Sequence, residues 1–286
     1  MEQSNAPPPE AVRGGVSRTL FAVAVLIVAV IAILAGVGIG YVLYTPPPRA
    51  RLTVGTNAPF APFESFNDTT GRFEGFDIDI MQLVADALHR DLVVLNFNDF
   101  GVLLTTVGTG GVDVAASAIT MSGSAGATRN NTMSFSTPYY SANQAVVIRS
   151  GFAFSCPNNV CTAAEVVNHT IGVQSQTTSE TWVDAEITPI QGNPTQTIHR
   201  YANVATEIDA LRTSVYDLMI IDEAPARAIA TGSGGALAVA GVVITNELYG
   251  FAVPRGDPKG LLPTINSILT NLKTPGYDQL LRKWFG

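Results

Sequence analysis

The residues of this chain able to hold a small molecule fall at a few separated points: Asn57 with Phe60, Ser117 to Thr120, Thr177 with Thr178, and Asp222. They supply amide, hydroxyl and carboxylate groups for hydrogen bonds, and alone they form no catalytic constellation. Residues 177–180 read T-T-S-E, a capping box. It places helix N–H groups where a carboxylate could sit, or it closes an ordinary helix. The sequence has no Ser-His pair, no phosphate-cradling glycine loop and no metal-like cluster. His89, His169 and His199 are scattered and read as surface residues, so no metal or cofactor is expected. The chemistry on offer is binding rather than turnover, with Glu223 beside Asp222 as the one acid that argues for an enzyme.

These points follow segments patterned as strands. Residues 52–56, 92–97, 112–117, 170–175 and 216–222 are strand-like. Between them fall helices, one with Ile80, Leu83, Val84, Ala87 and Leu88 on an apolar face, another with Val204, Ile208 and Leu211 at helical spacing. Such β-α-β order predicts α/β lobes with largely parallel sheets, in which ligands sit beyond the carboxyl ends of the strands. Asp222, ending one such strand, also precedes EAPARAIA as a candidate helix N-cap.

A chain of 286 residues can bury one large core or two modest ones. Its net charge of -7, with Lys259, Lys273 and Lys283 as the only lysines, offers no basic stripe for nucleic acid. Residues 20–44 carry no charge and are long enough to cross a bilayer, which predicts a single uncleaved transmembrane helix. A cleaved signal peptide is the alternative, but the run is too long and no A-x-A site follows. Before it, residues 1–19 form a polar tail too small to fold, expected on the cytoplasmic side; after it, residues 45–50 make a stiff Pro-rich spacer. Arg13 and Arg18 are matched by Arg49 and Arg51, so the positive-inside rule barely orients the helix. Cys156 and Cys161 have a spacing that a turn could close into a disulfide in an oxidising compartment, or leave as two surface thiols. Asn67, Asn130 and Asn168 each begin an N-x-T triplet, which suits an exported surface.

Several runs occur in one order: TNAPFAPFE, GRFEGFDIDIMQLVADAL, VDVAASAITMS, Arg129 with FSTPYY, IGVQSQTT, YGFAVPRGDP and YDQLLRKWFG. In this the chain, from about residue 52 to 286, resembles the periplasmic amino-acid-binding proteins that serve ABC importers, the polar amino-acid solute-binding proteins of family 3. The resemblance implies a two-lobed periplasmic-binding-protein type II fold, two α/β lobes joined by two crossover strands, preceded here by one transmembrane helix. Lobe one would comprise residues 51–138 and 250–286, and lobe two residues 139–249 with the hinge strands near 139–143 and 245–249. Ligand would close the lobes by hinge motion, and the closed form would be offered to a permease and its ATPase. The resemblance places Arg129 on the ligand α-carboxylate with Thr120, and Ser117 and Ala118 beside it through main-chain groups. Across the cleft Thr178 would add its N–H and Asp222 would pair with the α-ammonium. Phe60 and Phe100 would sandwich the ligand side chain, whereas Phe63, Phe66, Phe73 and Phe76 read as core.

Two departures from the family pattern bear on this site. GSAGAT lengthens the approach to Arg129 by about four residues, and Gln176 stands where a glycine is usual. Specificity would rest on Asn57, Ser117, Gln174 and Ile221; all are neutral, which points to a polar uncharged amino acid. The implied protein is no enzyme: it binds an amino acid outside the cytoplasm, anchored in the cell membrane. Its rivals are the sensing subunit of a membrane signalling complex and a dehydratase-like enzyme on the same fold.

Overall fold

The computed structural model describes residues 17–44, 48–190, 198–272 and 275–286. Residues 1–16 of the expected tail and 45–47 of the expected spacer lie outside them. The chain divides into two compact units, Met1–Pro48 and Arg49–Gly286. The first contains helix α1 (Arg18–Tyr44), 27 residues long. At about 1.5 Å per residue it reaches roughly 40 Å, more than the ~30 Å of a bilayer's hydrocarbon. Its apolar stretch Arg18–Val37 is exposed all round, with nothing of its own unit covering it among the described residues.

The second unit begins with β1 (Arg51–Thr56), a hairpin of β2 (Ser65–Asn67) and β3 (Arg72–Glu74), α2 (Phe76–Ala87), β4 (Asp91–Asn96), α3 (Phe100–Gly108), β5 (Val114–Ala115), α4 (Gly123–Arg129) and β6 (Met133–Phe135). Strand β7 (Tyr140–Arg149) then crosses to a second sheet. Next come α5 (Ala163–Val166), β8 (Ile171–Gln174), α6 (Thr178–Trp182), β9 (Ile198–Tyr201), α7 (Val204–Arg212), β10 (Leu218–Asp222), α8 (Glu223–Gly232) and β11 (Leu237–Tyr249). The chain returns through β12 (Ala252–Pro254), α9 (Leu262–Leu272) and α10 (Gly276–Phe285).

The first sheet has the order β4-β1-β5-β12-β6, the second β11-β7-β10-β8-β9. The expected parallel character holds for β1, β4 and β5 and for β8, β9 and β10. Strands β7, β11 and β12 run antiparallel to their neighbours, because they carry the chain directly between sheets without a crossover helix. The register of β7 sets Gln144 opposite both Asp222 of β10 and Val243 of β11, which brings residues of three strands together at one point.

Several expected details are corrected. The strand expected at residues 112–117 is reduced to Val114–Ala115, the chain beyond turning away through Ala118 at φ 45°. On α2 the buried face is Phe76, Ile80, Met81, Val84 and Ala85, while Leu83 and Ala87 are exposed. Phe63 and Phe76 are fully buried, but Phe66 is 49% exposed on the β2–β3 hairpin, where it meets only Phe73 edge-on. The first lobe's core is closed from its far end: the Phe285 ring of α10 packs on Phe63, Phe76 and Tyr140 at 5.2–5.5 Å. In the second lobe Cys156 and Cys161 are joined as a disulfide against the apolar core of Val146, Ile171 and Leu218.

Candidate functional site

Between the two sheets lies a small, narrow cavity. Asn57, Phe60, Phe100, Ser117, Ala118, Thr120, Arg129, Gln174, Thr178 and Asp222 all line it, and Thr177 joins them. Most sit just past the carboxyl end of a strand: Asn57 after β1, Ser117 and Ala118 after β5, Asp222 at the end of β10.

Arg129 reaches this cavity from the last turn of α4. The inserted GSAGAT segment forms that helix instead of bulging. It lies so close to the loop before it that a Cβ on Gly126 would stand 2.1 Å from the Met121 carbonyl oxygen. Arg129 Nη1 donates to the Thr120 carbonyl at 2.8 Å and Nη2 to the Gln176 carbonyl at 2.8 Å, with the guanidinium over the Phe100 ring. Gln176 aims that carbonyl by adopting φ 66°, a region that favours glycine. Burial pulls the guanidinium down to about 10, opposed by the charges of Glu247 and Asp222, so it remains a cation at neutral pH.

The floor beside Arg129 rests on two acids that the sequence reading did not single out. The Ala118 N–H donates to Asp77 Oδ2 at 2.9 Å, and the Tyr139 hydroxyl donates to the same oxygen at 2.8 Å. Ser117 Oγ donates to Glu64 Oε1 at 2.6 Å while accepting from the Asn57 N–H at 3.1 Å. Burial pushes Asp77 up to about 7 despite its hydrogen bonds, and pushes Glu64 up as well with help from Asp77. Both acids sit inside runs already visible in the sequence, APFE and GFDID; their burial is what the sequence alone does not display.

The opposite wall belongs to the second sheet. Gln174 Nε2 donates across the cleft to Asn57 Oδ1 at 2.7 Å, and the Thr120 and Thr178 hydroxyls face each other at 3.5 Å. Thr177 caps α6 by accepting from the Glu180 N–H, but Glu180 returns its bond to the Gln176 N–H, one residue before the position a capping box requires. Asp222 occupies the N-cap position of α8 without capping it. Its Oδ1 accepts instead from the Tyr249 hydroxyl at 2.5 Å and Gln144 Nε2 at 3.0 Å. Burial, then the nearby charge of Glu247, pushes Asp222 up to about 8.

Ile221 does not belong to the site. Its side chain faces away from Asp222 into the core of Ala145, Met219 and Ala226, as alternation along a strand requires. Glu223 likewise turns from the cavity and pairs with Arg227 at 2.7 Å. Among the described residues no three His, Cys, Asp or Glu side chains gather as a metal site.

Residues 52–286 match the family described as bacterial extracellular solute-binding proteins, family 3. The chain belongs to that family. This solute-binding protein is 28% identical over 241 residues to a probable histidine-binding protein of Neisseria gonorrhoeae, covering 83% of this chain and 84% of that one. It is 24% identical over 221 residues to the ABC transporter glutamine-binding protein GlnH of Bacillus subtilis, covering 76% and 75%. Among solved structures it resembles a mutant of ArgBP from T. maritima, with a TM-score of 0.71, 31% identity and coverage of 82% and 95%. An ancestral arginine-binding protein bound to arginine gives a TM-score of 0.71 at 28% identity, covering 83% and 99%. The fold is therefore the two-lobed α/β fold of periplasmic binding proteins, and this member is a binding protein rather than an enzyme.

Proposed function

We propose that the cleft binds one polar amino acid as its zwitterion and that the protein delivers it to an ABC permease and ATPase. The observation that carries this is the placement of a buried cation, Arg129, and a buried acid, Asp222, on opposite walls of one small cavity. A zwitterion spans that pair, its carboxylate on the guanidinium fork with Thr120 and its ammonium on Asp222. Each charge-assisted bond nets roughly 1.5–3 kcal/mol. Micromolar affinity needs about 8 kcal/mol in all, so a handful of such contacts suffices.

Between these anchors the walls are the Phe60 and Phe100 rings and the neutral polar groups of Asn57, Ser117 and Gln174. A glutamine-like side chain matches them, since amides can exchange bonds with Asn57 and Gln174 without a counter-ion. The names of the relatives support amino-acid transport and include histidine, glutamine and arginine binders. Helix α1 would tether the binding domain outside the cytoplasm as a single-pass anchor.

The test is a thermal-shift and calorimetric screen of the full chain in detergent against the common amino acids. Glutamine and other uncharged polar residues are expected to stabilise it most. Stabilisation by arginine or histidine instead would assign the site to basic side chains, and stabilisation by none would end the amino-acid reading.

A further inference from the structure

Behind the cleft wall, on the returning hinge strand β11, stands a second buried acid that does not touch the cavity. Glu247 is 6% exposed, and three donors point at it: the Thr120 hydroxyl at 2.7 Å, Gln144 Nε2 at 2.8 Å and the Thr245 hydroxyl at 2.9 Å. Gln144 Nε2 also donates to Asp222 Oδ1, so one amide nitrogen bridges two carboxyl groups. The orientation of that amide is fixed, because the Ser179 hydroxyl donates to its oxygen at 2.7 Å. Two buried carboxyls held on one donor repel each other when both are charged.

We propose that Glu247 is a positioning residue that sets the charge of the ligand's ammonium anchor: it keeps Asp222 protonated in the empty cleft, so that binding an ammonium-bearing ligand expels one proton. This rests on the amino-acid reading of the cleft. When the ammonium arrives beside Asp222, its positive charge offsets the repulsion, the Asp222 proton leaves to bulk solvent, and the anchor becomes a carboxylate. No other bond changes.

The remaining groups around Asp222 are consistent with this. Tyr249 on β11 donates its hydroxyl to Oδ1, and Arg129 on α4 contributes a nearby positive charge. Tyr140 on β7 and Glu64 in the loop after β1 feel the Asp222 charge without contacting it. Oδ2 accepts no hydrogen bond from the described residues, while Asp222 lines the cavity, which leaves that oxygen for the ligand. Because Arg129 already donates to two main-chain carbonyls, it does not neutralise the acid pair by direct contact.

Two measurements on the full chain in detergent decide the matter. In the first, carboxyl carbon NMR follows Asp222 in the empty protein; its midpoint is expected near 8, and Glu247→Gln should lower it by about one unit or more. An ordinary midpoint in the wild type, or the same midpoint in the variant, overturns the proposal. In the second, calorimetry with L-glutamine and with L-arginine is run near pH 7 in buffers of different ionisation heat. About one proton per bound ligand should be released by the wild type and less than half as much by Glu247→Gln. Apparent affinity of the wild type should rise about tenfold per pH unit below the Asp222 midpoint and level above it. Binding of either amino acid without proton release overturns the coupling while leaving the function intact. Failure of both to bind counts against the function, and the NMR titration then still decides the coupling.

Discussion

Asp222 and Glu207 are two carboxyls of the same lobe, both cut off from solvent and both pushed up by burial, yet their surroundings are opposite. Asp222 ends a strand, accepts from Tyr249 and Gln144, feels Arg129 and Glu247, and opens on a cavity. Glu207 lies in the first turn of α7, whose Val204, Ala210 and Leu211 face the apolar core, and neither of its carboxyl oxygens has a hydrogen-bond partner among the described residues. The Tyr216 hydroxyl, the obvious donor, goes to the Glu207 main-chain carbonyl instead. Burial alone thus yields an acid that holds its proton more tightly. Donors, a neighbouring charge and an opening are what make a buried acid into an anchor.

What the two acids share should give the largest effect. Both are raised, as are Asp77 and Glu64, so the folded state holds protons that the unfolded chain has already lost. The stability that these four acids contribute is therefore full below the ordinary carboxylate range and declines as pH rises towards about 8. Thermal unfolding of the empty protein at about pH 5 and pH 8 checks this, with the lower midpoint expected at the higher pH.

What divides the two acids comes next. Asp222→Ala should weaken amino-acid binding roughly 10–100-fold by removing a charge-assisted contact, whereas Glu207→Ala should leave affinity within about twofold. Calorimetry on both variants breaks the comparison if their losses are alike. Arg129→Lys should cost about tenfold, because an ammonium cannot reproduce the planar fork that spans Thr120 and Gln176 while holding a carboxylate. Retained affinity would place the ligand carboxylate elsewhere. The smallest effect is a gain: Glu207→Leu should add about 1 kcal/mol to stability in a urea titration, since it replaces an unpartnered buried polar group with an apolar one. A loss instead would mean that the Glu207 carboxyl is satisfied.

The α/β alternation was legible because β1, β4, β8 and β10 are apolar runs separated by helical spacing. The residues lining the cavity were legible only through spaced motifs, for Arg129 alone reads as a surface arginine. Ile221 was misread because adjacency to Asp222 in sequence means the opposite face in a strand. Phe66 was misread because an aromatic ring beside a buried one need not follow it inward. Gln144, Glu247 and Tyr249 stayed hidden for a different reason: they meet only through the β7–β10 and β7–β11 registers, a pairing of segments about 80 to 100 residues apart that local pattern does not encode. Glu247 lies two residues before the YGFAVP run, which was the one available signal.

The docking of Phe285 onto Phe63, Phe76 and Tyr140 orders events in time as well as space. A chain made from its N-terminus completes β7 through β11, the whole second sheet, before β12 and α10 exist. Until then Phe63 and Phe76 lack the Phe285 ring that covers them, which leaves a more adhesive surface during synthesis and export. The lobe the chain begins is the one it finishes last.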